Sequence, residues 1–426
     1  MTASGAHALA LAQGHWGIAV LVALFTASIF LSTAACNILA GVLCIVAVIQ
    51  WVRFRPLWLL RQPMALACIG FFAWLLVREA LDGRLGSEAL RSVNQFRPLL
   101  FLVLWAPLFV AERHRRAAVG ATLAILALFF AVAVVGYAVA GHLFYTTYPY
   151  PWRAEAFGPL LAPFYSHSPD LAGPVLLVAL FGTLQLALDH RRYRWLLVFT
   201  LAAAFVLFVA TGRKSSQLVF LACGALFLFF QLRPASGAAR VGWTLAAAVL
   251  AFGLAASPLV RSSAQRVWTD SVQALATPAE KRAEVSTSSG LRILFWQTAA
   301  QVVRASPWIG TSESRYHERY LAEAQAMGGM RDRHGNPHNE YLHVAGALGA
   351  IGLAIYLAIH VAAAARGARH PSATQRRILA IYLLAALLTA LANSLVIDMV
   401  PGHFHALALL VLGWFAWDGG EAKEAA

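Results

Sequence analysis

The sequence predicts an all-α polytopic membrane protein with about twelve transmembrane helices. Of its 426 residues, 60% are hydrophobic and 12% are charged, a balance that no water-soluble domain needs. The apolar residues form continuous runs close to the roughly 20 residues that a spanning helix requires. A transmembrane β-barrel would instead alternate apolar and polar positions.

The predicted spans follow the apolar runs in order along the chain. They cover 16–34, 36–52, 62–78, 98–112, 117–140, 171–188, 195–211, 215–232, 241–257, 340–362, 375–397 and 403–418. The run at 98–112 is short and the block at 16–52 can be divided differently, so counts of about ten to thirteen are open. No basic segment or small-residue cleavage site precedes the first run, which we interpret as a retained span.

The formal net charge of +14 would suggest a nucleic-acid partner in a soluble protein, but here it follows from topology. Arginines cluster in every second connection, and the positive-inside rule places those connections and both termini in the cytoplasm. The clusters are Arg53/Arg55/Arg61, Arg113/Arg115/Arg116, Arg191/Arg192/Arg194, Arg233/Arg240 and Arg366/Arg369/Arg376/Arg377. The outward connections are then 79–97, 141–170, 212–214, 258–339 and 398–402. No nucleic-acid partner is expected.

The chain divides into three parts on this topology. Residues 1–257 hold the first nine spans, 258–339 form an outward loop subdomain, and 340–426 hold the last three spans and a short cytoplasmic tail. Apolar periodicity predicts a loop helix at 289–305, which Ser306-Pro307 ends, and a more polar helix follows at 312–327. A loop with its own helices is often functional.

The second long outward connection, at 141–170, is rich in tyrosine, tryptophan, phenylalanine and proline. Two interpretations are open: an aromatic belt at the membrane interface, or a platform for sugar or lipid. The cysteines all lie within apolar runs and indicate small buried hydrophobic residues rather than a disulfide framework.

The stretch His338-Asn339-Glu340-Tyr341-Leu342 stands where the polar loop meets an apolar segment. A neutral imidazole at position 338 can take a proton from a hydroxyl, and Asn339 can orient a neighbour by hydrogen bonding. Gly346, Gly349 and Gly352 follow at intervals of three and allow close helix approach. The alternative is that His338 only satisfies a helix end.

The sequence favours chemistry without a metal or cofactor. His334 and His343 flank His338, but Gly335 and Pro337 make one helical face of ligands improbable, and no HExxH is present. The loops carry no DxD, and Walker A and Rossmann glycine patterns are absent. Acidic residues number only 19, whereas a magnesium-dependent nucleotide-sugar site needs carboxylates.

Arginines in the outward connections suit an anionic substrate, because guanidinium binds phosphate bidentately and stays charged. Arg213 lies in the short hairpin 211–216, Arg292 precedes Trp296 by four residues, and Arg266 follows the ninth span. The alternative for Arg213 is a side chain that snorkels to the membrane surface. Asp398, at the edge of a span, is a candidate site residue with Arg213 or His338 as partner, or a helix-end carboxylate that faces water.

Four segments follow one another along the chain: Arg292-Ile-Leu-Phe-Trp296, Ser306-Pro-Trp-Ile-Gly310, His338-Asn-Glu-Tyr-Leu and Gly349-Ala-Ile-Gly352. In this order they resemble the bacterial O-antigen ligase and polymerase superfamily, and Thr-Gly-Arg213-Lys-Ser is similar to an earlier motif of that family. The resemblance covers about 213–355. One departure is the turn after Pro307, which often carries Gly-x-Gly in the family and here is Gly310-Thr311-Ser312.

The resemblance implies a GT-C-like glycosyltransferase of the inner membrane with a periplasmic site. Length and loop size are most similar to the O-antigen ligase, which transfers polysaccharide from undecaprenyl diphosphate to lipid A–core oligosaccharide. It implies catalytic roles for His338, Arg292 and Arg213, and substrate contacts for Arg266, Asn339, Asp398, Trp296 and Tyr341. The alternatives are an O-antigen polymerase, a protein O-oligosaccharyltransferase, a transporter of lipid-linked glycans and a structural membrane protein.

Overall fold

The apolar runs fold into helices throughout the described part of the chain. The computed structural model describes residues 14–140, 172–205, 214–233, 236–256, 258–328 and 336–414, and every regular element within these ranges is helical. The predicted all-α class is therefore confirmed for this part of the chain.

The helices follow the predicted spans closely. Before residue 206 they are α1 (Trp16–Leu31), α2 (Thr33–Phe54), α3 (Pro63–Leu81), α4 (Ser87–Gln95), α5 (Arg97–Leu104), α6 (Ala106–Phe109), α7 (Glu112–Ala140), α8 (Ala172–Asp189) and α9 (Leu197–Phe205). After it they are α10 (Lys214–Leu232), α11 (Gly237–Ala256), α12 (Pro258–Ala276), α13 (Ser288–Ala305), α14 (Glu313–Ala326), α15 (Glu340–Ala368), α16 (Ala373–Ala392) and α17 (Met399–Ala408). Short 3-10 turns occupy Leu57–Leu59, Arg191–Leu196 and Ala279–Glu284, and a π-helix follows α17 at Leu409–Trp414.

Among the described residues, the four helices α2, α3, α15 and α16 are long and apolar enough to cross a membrane. Shorter apolar helices cover Trp16–Leu31, Leu177–Asp189 and Leu218–Leu232. On α2, Ile38, Ile45 and Val52 are exposed although the opposite face, with Leu43 and Ala47, is buried. A helix that is apolar on its exposed face as well as its buried one is suited to a lipid environment.

The predicted span at 98–112 is divided in the structure. Helices α5 and α6 are short, and each has a proline at its first turn, Pro98 and Pro107. Proline lacks the amide hydrogen that a continuous helix needs at these positions, so the run begins twice instead of once. The predicted span at 375–397 also ends early, at Ala392.

Helix α15 is broken at Gly349, where φ is 69° and ψ is −174°. The turn 307–310 fills the break: the Ala350 amide donates to the Pro307 carbonyl at 2.8 Å, and the Thr311 amide donates to the Gly346 carbonyl at 2.9 Å. A Cβ at Gly349 would overlap the Trp308 carbonyl. The segment around Gly310 and the segment around Gly349 therefore form one junction. The span predicted at 340–362 is present as α15, with a break at Gly349 that the sequence did not indicate.

Helix α3 supports this junction from the other side. The Trp74 indole donates to the Leu348 carbonyl at 2.8 Å, and Arg78 Nη2 donates to the Gly310 carbonyl at 3.1 Å. The buried Glu79 carboxylate accepts the Ser314 amide at 3.1 Å and the Ser92 hydroxyl at 2.7 Å. An anion at the start of α14 satisfies amides that have no partner within that helix. These bonds fix the loop helices to the bundle.

Ser312 stands where the superfamily that the sequence resembles often has the second glycine of its Gly-x-Gly turn. Its φ is 65°, in the left-handed region that disfavours residues with a Cβ. The backbone of the turn therefore keeps the conformation that a glycine would adopt, although the sequence departs from the pattern.

The loop and the arginine-rich connections lie at opposite ends of α3 and α15. Arg366, near the end of α15, donates to Gln62 beside the start of α3 at 3.2 Å. Arg377 and Asp189 lie 3.5 Å apart on helices α16 and α8 at the same end. The other end of α3 carries the contacts to Gly310.

Candidate active site

His338 lies on a strained turn directly before α15. Its φ is 48°, a left-handed value that is uncommon for a residue other than glycine. The Asn336 carboxamide oxygen accepts the His338 amide at 2.9 Å, which closes the turn around Pro337. Strained backbone of this kind persists where surrounding contacts over-determine it, and such places are often functional.

The imidazole of His338 is half-buried between two other parts of the chain. Nδ1 lies 3.1 Å from Oδ1 of Asn393, at the end of α16. On its other side the Phe295 ring of α13 lies 5.7 Å away between ring centroids. Within the described ranges, Nε2 has no hydrogen-bond partner. This nitrogen is the group that an incoming hydroxyl can meet.

The contact with Phe295 places helix α13, which carries Arg292 and Trp296, beside His338. Arg292 and Trp296 lie three residues before and one residue after Phe295 on this helix, and both are half-buried. Residues three apart on a helix have Cβ atoms about 5–6 Å apart. The Trp296 indole nitrogen is buried without an acceptor among the described residues. Arg292 therefore lies on the same face of α13 as Phe295, the residue that contacts the imidazole.

Asn339 and Glu340 fix the start of α15. The Asn339 side chain accepts the Leu342 amide at 3.0 Å as the helix cap. The Glu340 carboxylate is fully buried and accepts the amides of Leu395 and Val396, the latter at 2.8 Å. The carboxylate thus holds the extended segment that follows α16, and this segment carries Asn393.

Asp398 and Tyr341 have specific positions around this segment. Asp398 is half-buried directly before α17 and interacts electrostatically with Glu340. The Tyr341 hydroxyl donates to the Leu387 carbonyl of α16 at 2.7 Å. Both residues therefore lie close to the start of α15.

The structure does not bring Arg266 to His338 through any described contact. Arg266 is exposed on α12, and its Nε donates to the Ser262 carbonyl of the same helix at 3.2 Å. Arg213 lies outside the described residues, and so do His334 and the aromatic connection at 141–170.

Sequence reasoning missed the residues that hold His338. Asn336, Asn393 and Ser394 form one network, in which the Asn336 amide nitrogen donates to the Ser394 hydroxyl at 2.9 Å. Glu340 belongs to the quoted motif but received no role. The sequence did contain an indication of these residues. Glu340 and the pair Asn393-Ser394 stand at the edges of apolar runs, where polar side chains are costly unless they have a function.

A buried histidine–carboxylate pair lies one turn further along α15. His343 Nε2 is 3.0 Å from each carboxylate oxygen of Glu313, and both residues are buried. The Tyr316 ring packs on His343 with a centroid distance of 4.3 Å. Burial, reinforced by Tyr320 and Glu313, raises the pKa of the Tyr316 phenol well above its usual value. This pair joins α14 to α15 and so positions the loop against the helix that follows His338.

Comparison with known protein families gives a match over part of the chain. No curated protein matches the chain. Residues 173–357 match the family model described as O-Antigen ligase, a stretch that contains Arg292, Trp296 and His338 but ends before Asn393 and Asp398. The chain therefore carries, over residues 173–357, a domain of the O-antigen ligase and polymerase superfamily.

Proposed function

We propose that this protein is an O-antigen ligase. It transfers polysaccharide from undecaprenyl diphosphate to a sugar hydroxyl of lipid A–core oligosaccharide, at a periplasmic site of the bacterial inner membrane. The observation that carries the proposal is the open Nε2 of His338 beside the helix of Arg292. Both residues lie within the domain matched by the O-antigen ligase family.

The reaction is one direct displacement. The acceptor hydroxyl oxygen attacks the anomeric carbon, the bond from that carbon to the diphosphate oxygen breaks, and the diphosphate leaves with the electron pair. His338 Nε2 takes the hydroxyl proton and later releases it to water. A single displacement inverts the anomeric carbon. The leaving group is a stable anion, so it needs no strong general acid.

Arginines stabilise the charge that grows on the leaving diphosphate. We assign this role to Arg292, whose helix lies beside His338, and to Arg213 and Arg266 as further diphosphate ligands. Preorganised positive groups lower the barrier because they meet developing charge without reorganising. This chemistry uses neither a metal nor a cofactor.

The neighbouring side chains bind the two sugars. Trp296 offers an aromatic face, while Asn339 and Tyr341 shape the acceptor side and Asp398 contacts a sugar hydroxyl. The exposed apolar helix faces leave the polyprenyl and acyl chains in the bilayer, as in membrane glycosyltransferases of the GT-C type. Both substrates then enter laterally from the membrane.

The test uses purified full-length protein, a lipid-linked glycan donor and lipid A–core acceptor in detergent. We expect conjugate to form in the presence of EDTA, and His338→Ala to lower kcat at least about 100-fold. His317→Ala, an exposed histidine of α14, is the matched control and keeps full activity. Full activity of His338→Ala would exclude the proposed base, and loss of activity with EDTA that magnesium restores would exclude the metal-free reaction.

Arginine variants test the diphosphate site. Arg292→Ala lowers kcat, and Arg292→Lys restores only part of it, because lysine keeps the charge but loses bidentate contact. Arg304→Ala, exposed on the same helix, is the control. Joined glycans on undecaprenyl diphosphate, without transfer to lipid A–core, would identify a polymerase instead. Movement of intact donor across a vesicle membrane without conjugation would identify a transporter.

A further inference from the structure

We infer that Asn393 is a positioning residue that fixes the tautomer and ring orientation of His338. The inference rests on the proposed function, in which Nε2 is the base. Asn393 lies outside the residues that the family model matches. Its carboxamide oxygen is 3.1 Å from His338 Nδ1.

The chemistry follows from what each atom can donate. A carboxamide oxygen only accepts, so a hydrogen bond to it requires the proton on Nδ1. A neutral imidazole with its proton on Nδ1 has a lone pair on Nε2. Asn393 thus holds the ring in the form that can take a proton from the acceptor, and it sets the direction in which that lone pair points.

Asn393 itself is fixed by three contacts of the segment that follows α16. The next residue, Ser394, is buried and hydrogen-bonded to Asn336, which precedes His338 by two residues. The amides of Leu395 and Val396 both donate to the buried Glu340 carboxylate. The segment therefore contacts the turn before His338, the imidazole and the start of α15. Because these contacts hold Asn393 in place, its hydrogen bond also fixes the position of the His338 imidazole.

Two substitutions separate positioning from a structural role. Asn393→Leu keeps the size of the side chain but removes the acceptor, and we expect kcat to fall about 10–100-fold with the KM for donor unchanged. Asn393→Asp keeps the acceptor, so it retains most of the activity. Its carboxylate favours the protonated imidazole, which moves the acidic limb of the pH–rate profile upward by about one pH unit. The charged groups on the surrounding elements, Glu340, Asp398 and Arg292, are the same in each variant.

The control is Thr389→Val, which removes a buried hydroxyl one turn earlier on α16 and is expected to leave kcat unchanged. If His338→Ala is inactive while Asn393→Leu has wild-type kcat, the positioning role is wrong and the proposed function stands. If His338→Ala is fully active, the proposed function itself fails. A folded Asn393→Asp that stays inactive at pH values above the shifted acidic limb would show that Nδ1 does not donate and would overturn the inference. Should Asn393→Leu fail to fold, the pH profile of Asn393→Asp decides alone.

Discussion

Replacing Gly349 with alanine tests the junction that holds α15 to the turn 307–310. Gly349 has φ 69° and ψ −174°, a combination that is essentially restricted to glycine. A Cβ there would lie closer than 3.0 Å to the Trp308 carbonyl and the Ile309 amide, a separation that real Cβ atoms essentially never show. Because these neighbours are backbone atoms, no side-chain rotation relieves the overlap.

The expected cost is the sum of two effects. The disallowed backbone conformation costs about 1–3 kcal/mol. Separation of the two segments breaks the bonds from the Ala350 amide to Pro307 at 2.8 Å and from the Ile351 amide to Trp308 at 3.2 Å, each worth about 1 kcal/mol. Gly349→Ala is therefore expected to destabilise the protein by about 3–5 kcal/mol.

The assay is thermal unfolding of the purified protein in detergent, followed by tryptophan fluorescence, since Trp74 and Trp308 lie at the junction. We expect the Tm to fall by on the order of 5 °C. Gly70→Ala is the matched control on α3, because its Cβ would meet only Ile355 at an ordinary 3.8 Å. Its Tm should stay or rise, since alanine favours the helix. Equal Tm values for the two variants would refute the junction as described.

Two further predictions concern the same end of the molecule. Ser312→Gly should raise stability by about 1 kcal/mol, since it relieves a left-handed residue with a Cβ; an unchanged or lower Tm would contradict that strain. Glu340→Ala should cost at least about 2 kcal/mol and lower activity, because two buried amides lose their acceptor. Glu340→Gln keeps an oxygen acceptor and should lose less in both assays; equal losses for the two variants would show that the charge, rather than the accepted bonds, matters.

The helices could be predicted from the sequence because their signals are local. Apolar runs bounded by proline, glycine or arginine gave α2, α3, α10 and α16 within a few residues of their starts. The Arg292–Trp296 spacing similarly placed both side chains on one stretch of α13. These inferences need only helical periodicity, which the sequence carries directly.

The break in α15 could not be predicted for a physical reason. Three glycines at intervals of three are typical of a smooth helix that packs closely against another. Gly346 does meet a neighbour in that way, since a Cβ there would press on the Tyr316 ring. Gly349 instead leaves the helix, because the turn 307–310 supplies replacement hydrogen bonds from about 40 residues away. No local sequence pattern around Gly349 indicates that the turn 307–310 provides these hydrogen bonds.

The segment after α16 shows why the network around His338 was equally hidden. Continuing the helix through 393–397 would satisfy the amides of Leu395 and Val396 locally, and the apolar composition favours that outcome. The segment leaves the helix without these intrahelical hydrogen bonds, because the buried Glu340 carboxylate accepts both amides. A buried carboxylate would itself be costly without such donors. The extended segment and the buried carboxylate therefore stabilise each other. Together they place Asn393 beside the imidazole, where its side chain contacts the residue at the centre of the strained turn, His338.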